Sequence, residues 1–523
     1  MSYRAYPPPA IRAVGYDPVR DLPANHLAWL VESTVEAALQ DWTLPPAEGQ
    51  PPFDPRLCAK VLIYGYATGV RSSRLLQRNC EENLPFLFLT RGDTPSYRTL
   101  CSFRVNHAKV IEEIWLQLFV VAGKLGFKRL GRIVVDSSKF KADASAESVV
   151  KEDEYDALRQ ELRRILKEAD QADLKDEQQS PGTTTLEREV KPEQMREILR
   201  RVRSEITAKK KKSKASLPTD PTDEAGDRPP LGPKMLERVV AALDTLDAAQ
   251  QAGLKHACLT DPDARMMGEG RDKLIQECHS FEVVVDKDAQ LLVAGQVTQE
   301  GNDNARLEPL LEAALPHEPE GIHSVDADSG YYKGEVIGRI EEQGVDTCIP
   351  DSVTAQRLKL GTLPDNPSSL QASSDPSVAL TYDAERDVFV CAVGKDLVVK
   401  QQRQQGGRDV KIYATVATCT GCPLAAACLR KSTSKHRTTS RPVDATNPID
   451  TALGRFTEEE HQERYHDRGM IVETVFGFLR HILGFDHWMV RGTARVAAEG
   501  KLFTTAYQFR KVYCAWALAS AAK

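Results

Sequence analysis

Arg132-Ile-Val-Val-Asp136-Ser-Ser-Lys139 is the stretch on which the fold of this 523-residue chain turns. Before it, apolar residues recur at helical spacing. From Leu130 the period becomes that of a strand, and this β-branched strand ends in an acid. A charge at the end of such a run is costly unless it is paired or bound to a cation. Two later segments place acids in comparable settings. His323-Ser-Val-Asp326-Ala-Asp328-Ser-Gly-Tyr331-Tyr332 is a short strand running into a glycine turn. Tyr465-His-Asp-Arg468-Gly-Met-Ile-Val-Glu473-Thr-Val-Phe-Gly-Phe-Leu-Arg480 is a helix with one acid on its polar face. Its apolar positions Val472, Val475, Phe476, Leu479, Ile482 and Leu483 follow helical spacing. Converging carboxylates suit Mg²⁺, which takes oxygen ligands and keeps water positions open for a phosphate substrate. Two such ions about 3.5–4 Å apart activate an attacking oxygen and stabilise a leaving one. Of 75 Asp and Glu residues most are solvated, so context singles out Asp136, Asp328 and Glu473. Asp326, on the same strand face, is the alternative to Asp328; Asp328 is preferred because it adjoins the Gly-Tyr turn.

Outward from the first strand, the N-terminal region reads as short helices. One is expected near His26–Leu39 with Asn25 as N-cap. A second, from Asp54-Pro55 to about Tyr66, stops at Gly69. Others begin near Ser72 and Thr94-Pro95, and a long amphipathic helix covers about 108–125. Arg71, Arg74, Arg98 and Arg104 on these short helices predict a helix-turn-helix-like DNA reader. An ordinary bundle with arginines on its wet faces is the alternative.

After residue 146 a charged segment intervenes, helical near 151–175, 186–212 and 233–251, with a linker at Ser216-Leu-Pro-Thr-Asp-Pro. It reads as a helical hairpin or coiled-coil insertion, and its Lys209–Lys212 run as a solvated face. Strand character returns in the hairpin Phe281–Asp286 and Leu291–Val297. A helix near 304–315, the Val325–Asp328 strand, a helix at Gly334–Gln343 and a strand at Thr347–Pro350 follow. Without the insertion the order is strand, hairpin, helix, strand, helix, strand, then the Glu473 helix, the order of a ribonuclease-H-like α/β fold. The expected organisation is a helical DNA-binding domain at 1–129 and a catalytic core split over 130–146, 255–352 and 456–523. Insertions at 147–254 and 353–455 interrupt that core.

The second insertion contains Cys391 and then Cys419-Thr-Gly-Cys422-Pro-Leu-Ala-Ala-Ala-Cys428. This spacing suits a four-thiolate Zn²⁺ site. Asp387–Cys391 and Lys411–Thr415 read as the paired strands of a zinc ribbon; four incidental thiols are the alternative.

Hydrophobic content of 41% supports a sizeable core, and no apolar run approaches a membrane span. The start, Met1-Ser-Tyr-Arg-Ala-Tyr-Pro-Pro-Pro, lacks the apolar region of a signal peptide, so a cytoplasmic protein with reduced thiols is expected. The net charge of −6 is unevenly spread: +4 over residues 1–140, +8 over 400–523, and −18 between them. Basic ends fit a chain that meets phosphate with selected faces.

These segments together resemble the prokaryotic insertion-sequence transposases of the DDE type, along most of the chain. Phe53-Asp-Pro-Arg56, Tyr64-Gly-Tyr-Ala-Thr-Gly-Val-Arg71-Ser-Ser-Arg74 and Pro95-Ser-Tyr-Arg98-Thr-Leu-Cys-Ser-Phe103-Arg104 match that family's amino-terminal domain. In such enzymes the strand acid is followed by a Lys, as Lys139 follows Asp136, and the second acid precedes a small residue and Gly-Tyr, as Asp328 does. The third belongs to a Tyr, Arg, Glu, basic series, here Tyr465, Arg468, Glu473 and Arg480. The last is usually Lys; Arg also contacts phosphate, with bidentate geometry. Related transposases commonly carry cysteines where this chain has its second insertion.

The resemblance implies cleavage at the ends of a DNA element followed by strand transfer, with two Mg²⁺ or Mn²⁺ held by Asp136, Asp328 and Glu473. It also implies phosphate contacts from Lys139, Tyr465, Arg468 and Arg480, and double-stranded DNA, both terminal inverted repeats and target, as partner. A homodimer or higher oligomer on DNA, nucleoid-associated when bound, is expected. A DNA-binding regulator or a stand-alone nuclease on the same body are the alternative readings.

Overall fold

The structure, a computed structural model, describes residues 17–42, 52–179, 196–200, 202–204, 233–269, 274–301, 303–361, 378, 380–383, 385–405, 408–429, 434–443 and 448–521. It is a mixed α/β protein with a helical N-terminal region. That region comprises α1 (Pro18–Asp21), α2 (Leu27–Ala38), α3 (Pro55–Ala67), α4 (Ser73–Glu82), α5 (Leu84–Thr90), α6 (Tyr97–Asn106) and α7 (Ala108–Lys124). Asp54 caps α3 by accepting from Arg56 N at 2.9 Å, with Pro55 opening the helix. Beyond it Gly69 takes φ +78°, which only glycine adopts without strain. The cap of α2 is His26, whose Nδ1 accepts from Ala28 N, and not the expected Asn25. The sequence reading missed α5, because Leu84-Pro-Phe-Leu-Phe-Leu-Thr90 is apolar on every side and has no period.

The central sheet contains β1 (Arg132–Lys141), β4 (Arg265–Glu269), β5 (Leu274–Asp286), β6 (Leu292–Thr298), β7 (Ser324–Ala327) and β8 (Asp346–Cys348). Its order is β4-β5-β1-β7-β8, with β6 also pairing β5. β1, β7 and β8 run parallel, and β5 is antiparallel to β1, β4 and β6. Alternation along β1 sorts its side chains between two layers. Ile133 and Val135 pack in one core with α10 (Leu307–Ala314) and α11 (Gly334–Glu342). Val134 and Phe140 pack in the other, with α15 (Glu459–His481) and α16 (Thr493–Ala521). On α15 the expected apolar stripe is buried at Val472, Val475, Phe476 and Leu479, and Leu483 beyond the helix is also buried. Ile482 is half exposed.

That second core also contains the apolar residues of α2 to α7. The break at residue 129 therefore separates two sequence periods and not two cores. Tyr66 on α3 donates to the buried Glu499 on α16 at 2.6 Å, and the other Glu499 oxygen accepts from Met489 N. A fragment cut at 129 would expose this face to water.

The charged segment leaves and re-enters through a two-stranded base, β2 (Val149–Lys151) against β3 (His256–Cys258). Above it α8 (Tyr155–Gln179) and α9 (Pro233–Gln251) share a separate core including Leu158, Leu162, Val239 and Leu246. The Lys209–Lys212 run, Lys214 and the linker at 216–221 lie outside the described residues. After α12 (Ser352–Leu360) comes an antiparallel sheet of β9 (Leu380–Asp383), β10 (Val388–Cys391), β11 (Asp396–Gln405), β12 (Arg408–Thr415) and β13 (Thr438–Pro442). Its order is β13-β12-β11-β10-β9 around Leu380, Phe389, Leu397 and Tyr413. The segments expected to pair directly, 387–391 and 411–415, are thus separated by β11, whose polar sequence hid it. α13 (Ala425–Cys428) and α14 (Pro448–Gly454) complete the chain. Among the described residues no helix is long and apolar enough to cross a membrane.

Candidate active site

The register between β1 and β7 builds the site. Val135 stands opposite Ala327, and the next residue on each strand lies one step further along two parallel neighbours. β7 ends there, and Asp328 opens a short turn in which its Oδ1 accepts from Gly330 N at 2.8 Å. Asp136 lies on β1, which continues against β5. Asp136, midway along β1, therefore lies beside Asp328, which follows the carboxyl end of the parallel neighbour β7, the end of the strand at which open α/β sheets bind their ligands.

Helix α15 lies across this face and supplies matching cations at i and i+4. Arg464 donates to Asp326 Oδ1 at 2.7 Å through Nε and also pairs with Asp346 on β8. Arg468, one turn on, places Nη1 3.8 Å from Asp136 Oδ2. Asp326, buried and consumed by Arg464, joins helix to sheet. Asp328 faces neither arginine in this way and keeps its oxygens at the turn. Arg468 also packs over the Tyr465 ring, and its Nε and Nη1 are buried with no hydrogen-bond partner among the described residues. Buried, unpaired donors beside two acids are suited to an incoming phosphate oxygen.

Burial, then the charge of Asp328, pushes the Asp136 carboxyl up to about 7, against the pull of Arg468. A divalent cation would relieve both causes, so the donor chemistry of this pair fits a hard ion. The sign of the pH effect follows. A raised folded-state pKa contributes stability at low pH that is lost as pH rises from the ordinary value of 3.8 through about 7. The metal-free wild type should therefore lose thermal stability relative to Asp136→Asn on going from about pH 5 to about pH 8, and Mg²⁺ should restore it at the upper end. Parallel melting curves for the two proteins would contradict the assignment.

The other expected site residues are distributed differently. Glu473 is exposed on α15, outside the Asp136–Asp328 pair. Among the described residues no three His, Cys, Asp or Glu side chains are placed to hold a metal ion. Lys139 pairs with Asp303 at 3.3 Å. Arg480 donates to Ser138 Oγ at 2.9 Å and Lys139 O at 3.1 Å and lies over the Phe140 ring. Tyr465 is partly buried against Phe456. Sequence reasoning missed two charged residues at the site, Arg464 and Asp303. Arg464 is one of many cations on a polar helix, and Asp303 sits in the polar run Glu300-Gly-Asn-Asp-Asn304, where nothing distinguishes it from a loop.

Two family models match parts of the chain. Residues 390–513 match the family model described as Transposase DDE domain, and residues 16–106 match Transposase domain (DUF772). Both matches are to transposase families, and they support a DDE transposase. The chain is accordingly a DNA-cleaving and strand-transferring enzyme. The DDE match takes in Glu473, the Tyr465–Arg480 series and the four cysteines; Asp136 and Asp328 lie ahead of it. No curated protein and no solved structure matches the chain.

In this transposase two of the four arginines expected to read DNA do not face water. Arg71 is buried, donates to Gly484 O, His487 O and Asp486 Oδ1, and lies over the Phe485 and Phe503 rings. Arg104 is buried too, donating to Arg71 O and Ser73 Oγ at 2.8 Å each. Arg71 holds the N-terminal helices to the C-terminal part of the chain, and Arg104 braces the Arg71 segment from within the N-terminal region. Their desolvated guanidinium groups are spent on internal acceptors and cannot reach a duplex. Arg74 and Arg98 are exposed, and both lie over the Tyr97 ring.

The transposase's four cysteines, all among the described residues, lie in and beside the second sheet but are not gathered into a group placed to hold a metal ion. Cys391 ends β10, and its Sγ accepts from Lys395 N at 3.3 Å. Cys419 is buried beside Thr415. The Cys428 thiol is pushed up by burial, against Arg437, and further by Cys422, Cys391 and Cys419. The other three therefore lie within electrostatic reach of Cys428, and a bound divalent cation would offset their effect on it. Their donor chemistry fits Zn²⁺.

Proposed function

We propose that this transposase cuts the terminal inverted repeats of a DNA element and joins the freed ends to target DNA, using Asp136, Asp328 and Glu473. The observation that carries the reading is the Asp136–Asp328 pair, Asp136 on β1 and Asp328 just after β7, with Arg468 3.8 Å from Asp136 and carrying buried donors that make no hydrogen bond among the described residues. The sheet order, with β1 central between antiparallel β5 and parallel β7, supports a ribonuclease-H-like core interrupted by the segments at 147–254 and 353–455. The three acids would hold two Mg²⁺ or Mn²⁺, which when bound lower the cost of charge on the attacking and leaving oxygens. Arg468 orients a phosphate oxygen beside Asp136. Arg480 fixes the exit of β1, and Lys139 stands behind it. No side chain needs to become a nucleophile, because water and then a DNA 3′-hydroxyl attack in line. Cys391, Cys419, Cys422 and Cys428 would hold one structural Zn²⁺. An assembly of more than one chain on DNA accords with the need to join two ends.

DNA contact by the N-terminal helices is assigned to Arg74 and Arg98 with Tyr97. Replacing both arginines by Ala should weaken binding to all DNA sequences and lower the salt slope by about 1 for each phosphate that they neutralise. Thermal stability should not change. Arg71→Ala should do the converse, costing about 1.5–3 kcal/mol of stability through its missing charged hydrogen bonds. Titrations at several salt concentrations, with melting curves, distinguish the two. An unchanged slope in the double variant would remove these arginines from the interface. Cutting of element-end DNA by the purified chain in Mg²⁺, and its loss in EDTA, tests the catalytic half.

A further inference from the structure

We propose that Asp303 is a positioning residue that sets the spacing between Asp136 and Asp328. The inference rests on the reading of that pair as acids of the cutting reaction. Asp303 lies on the connection between β6 and α10, and its carboxylate bonds the β1 arm and approaches the turn after β7. On the β1 side, Oδ2 accepts from Ser137 Oγ at 3.2 Å and Oδ1 pairs with Lys139 Nζ at 3.3 Å. Lys139 Nζ also donates to Ser137 Oγ at 2.9 Å, closing a ring of three side chains. Ser137 and Lys139 alternate with Asp136 along the strand, so this ring grips β1 from the face opposite Arg468. Ser137 N in turn donates to Asp136 Oδ1 at 2.7 Å.

On the β7 side, Asp303 borders the turn that Asp328 opens. A Cβ placed on Gly330 would stand 2.9 Å from Asp328 Oδ1 and 3.5 Å from Asp303 Oδ2. A side chain there would crowd Asp328 Oδ1 and come into ordinary van der Waals contact with Asp303. Asp303 thus fastens the residues after Asp136 and fills the space behind the Asp328 turn. It also holds the Lys139 ammonium. Released, that flexible cation could swing toward the acid pair and compete with a bound metal ion, since charge is scarce in a half-buried site and attraction there is strong. Asp303 acts through its neighbours and need not touch DNA.

The test uses the full chain. Mn²⁺ binding is measured by electron paramagnetic resonance without DNA, alongside the Mn²⁺ concentration that half-activates DNA cutting. Asp303→Asn keeps the shape and removes the charge, and should bind Mn²⁺ about 10–100-fold more weakly, the range typical of partners that orient metal ligands. Asp303→Glu, which retains the charge, should recover part of that loss. Gly330→Ala approaches the same gap from the Asp328 side and should weaken Mn²⁺ binding without touching Lys139, which keeps the question open to measurement if Asp303→Asn does not fold. Unchanged Mn²⁺ affinity in folded Asp303→Asn, or in Gly330→Ala, overturns the inference. If Asp136→Ala and Asp328→Ala also bind Mn²⁺ as the wild type does, the reading of the pair has failed; if they lose it, only the role of Asp303 has.

Discussion

Asp136→Ala, Asp328→Ala and Glu473→Ala transposases should each bind element-end DNA as the wild type does and cut it at least about 10³-fold more slowly, roughly 4 kcal/mol of lost transition-state stabilisation. The three acids sit on different elements, β1, the turn after β7, and α15, and none belongs to the apolar cores. Removing Asp136 or Asp328 even relieves a repulsion that the folded protein carries without metal. Their loss should therefore spare the fold. Asp326→Ala, two residues from Asp328, should behave in the opposite way. It leaves Arg464 partly buried with one carboxylate fewer, and breaking such a pair costs about 3–5 kcal/mol. Cutting rates, DNA-binding isotherms and melting curves on the four proteins separate these outcomes. Retained cutting by Asp328→Ala, with loss in a folded Asp326→Ala, would move the second acid to Asp326.

Cys419→Ser/Cys422→Ser should lose the fold of the five-stranded sheet, and purified wild type should contain about one zinc per chain. Structural zinc sites of this donor type contribute about 10–16 kcal/mol of apparent binding energy in small peptides. Among the described residues the sheet's core cluster is Leu380, Phe389, Leu397 and Tyr413, which is small for independent stability. Loss of the ion should expose this region to protease while α3, α7 and α16, which share another core, stay protected. Elemental analysis of protein purified without chelator gives the content, and limited proteolysis with and without chelator gives the location. A folded, active preparation free of zinc would refute the site.

The elements legible in the sequence were those whose period is set locally. The helix at Pro233–Gln251, the β5–β6 hairpin and the starts of β1 and β7 follow from apolar spacing and turn residues within a few positions of each other, whereas β1 runs five residues past Asp136, where the sequence reading ends it. What escaped was set by residues far away. Arg71 and Arg104 read as surface cations because most arginines are solvated. Their burial is imposed by Gly484, Asp486 and His487, more than 400 residues along the chain from Arg71, whose backbone in turn accepts from Arg104. Asp303 matters through Ser137 and Lys139, which no local pattern connects to it. The boundary at 129 was drawn where periodicity changes, yet Val134 and Phe140 of β1 pack in one core with Leu62 and Leu118. Choosing Asp328 over Asp326 used the adjoining turn alone; the structure adds a physical reason, since Asp326 already has Arg464.

The central claim is that phosphodiester chemistry here is carried by acids and metal, with no covalent attachment of protein to DNA. Its most direct test is to incubate the purified transposase with labelled element-end DNA in Mg²⁺, denature the products in detergent and resolve them. The expected result is a protein-free end bearing a 3′-hydroxyl, part of it joined to target DNA, and no product in EDTA. Label that migrates with the protein after denaturation, or cutting that persists in EDTA, would contradict the account.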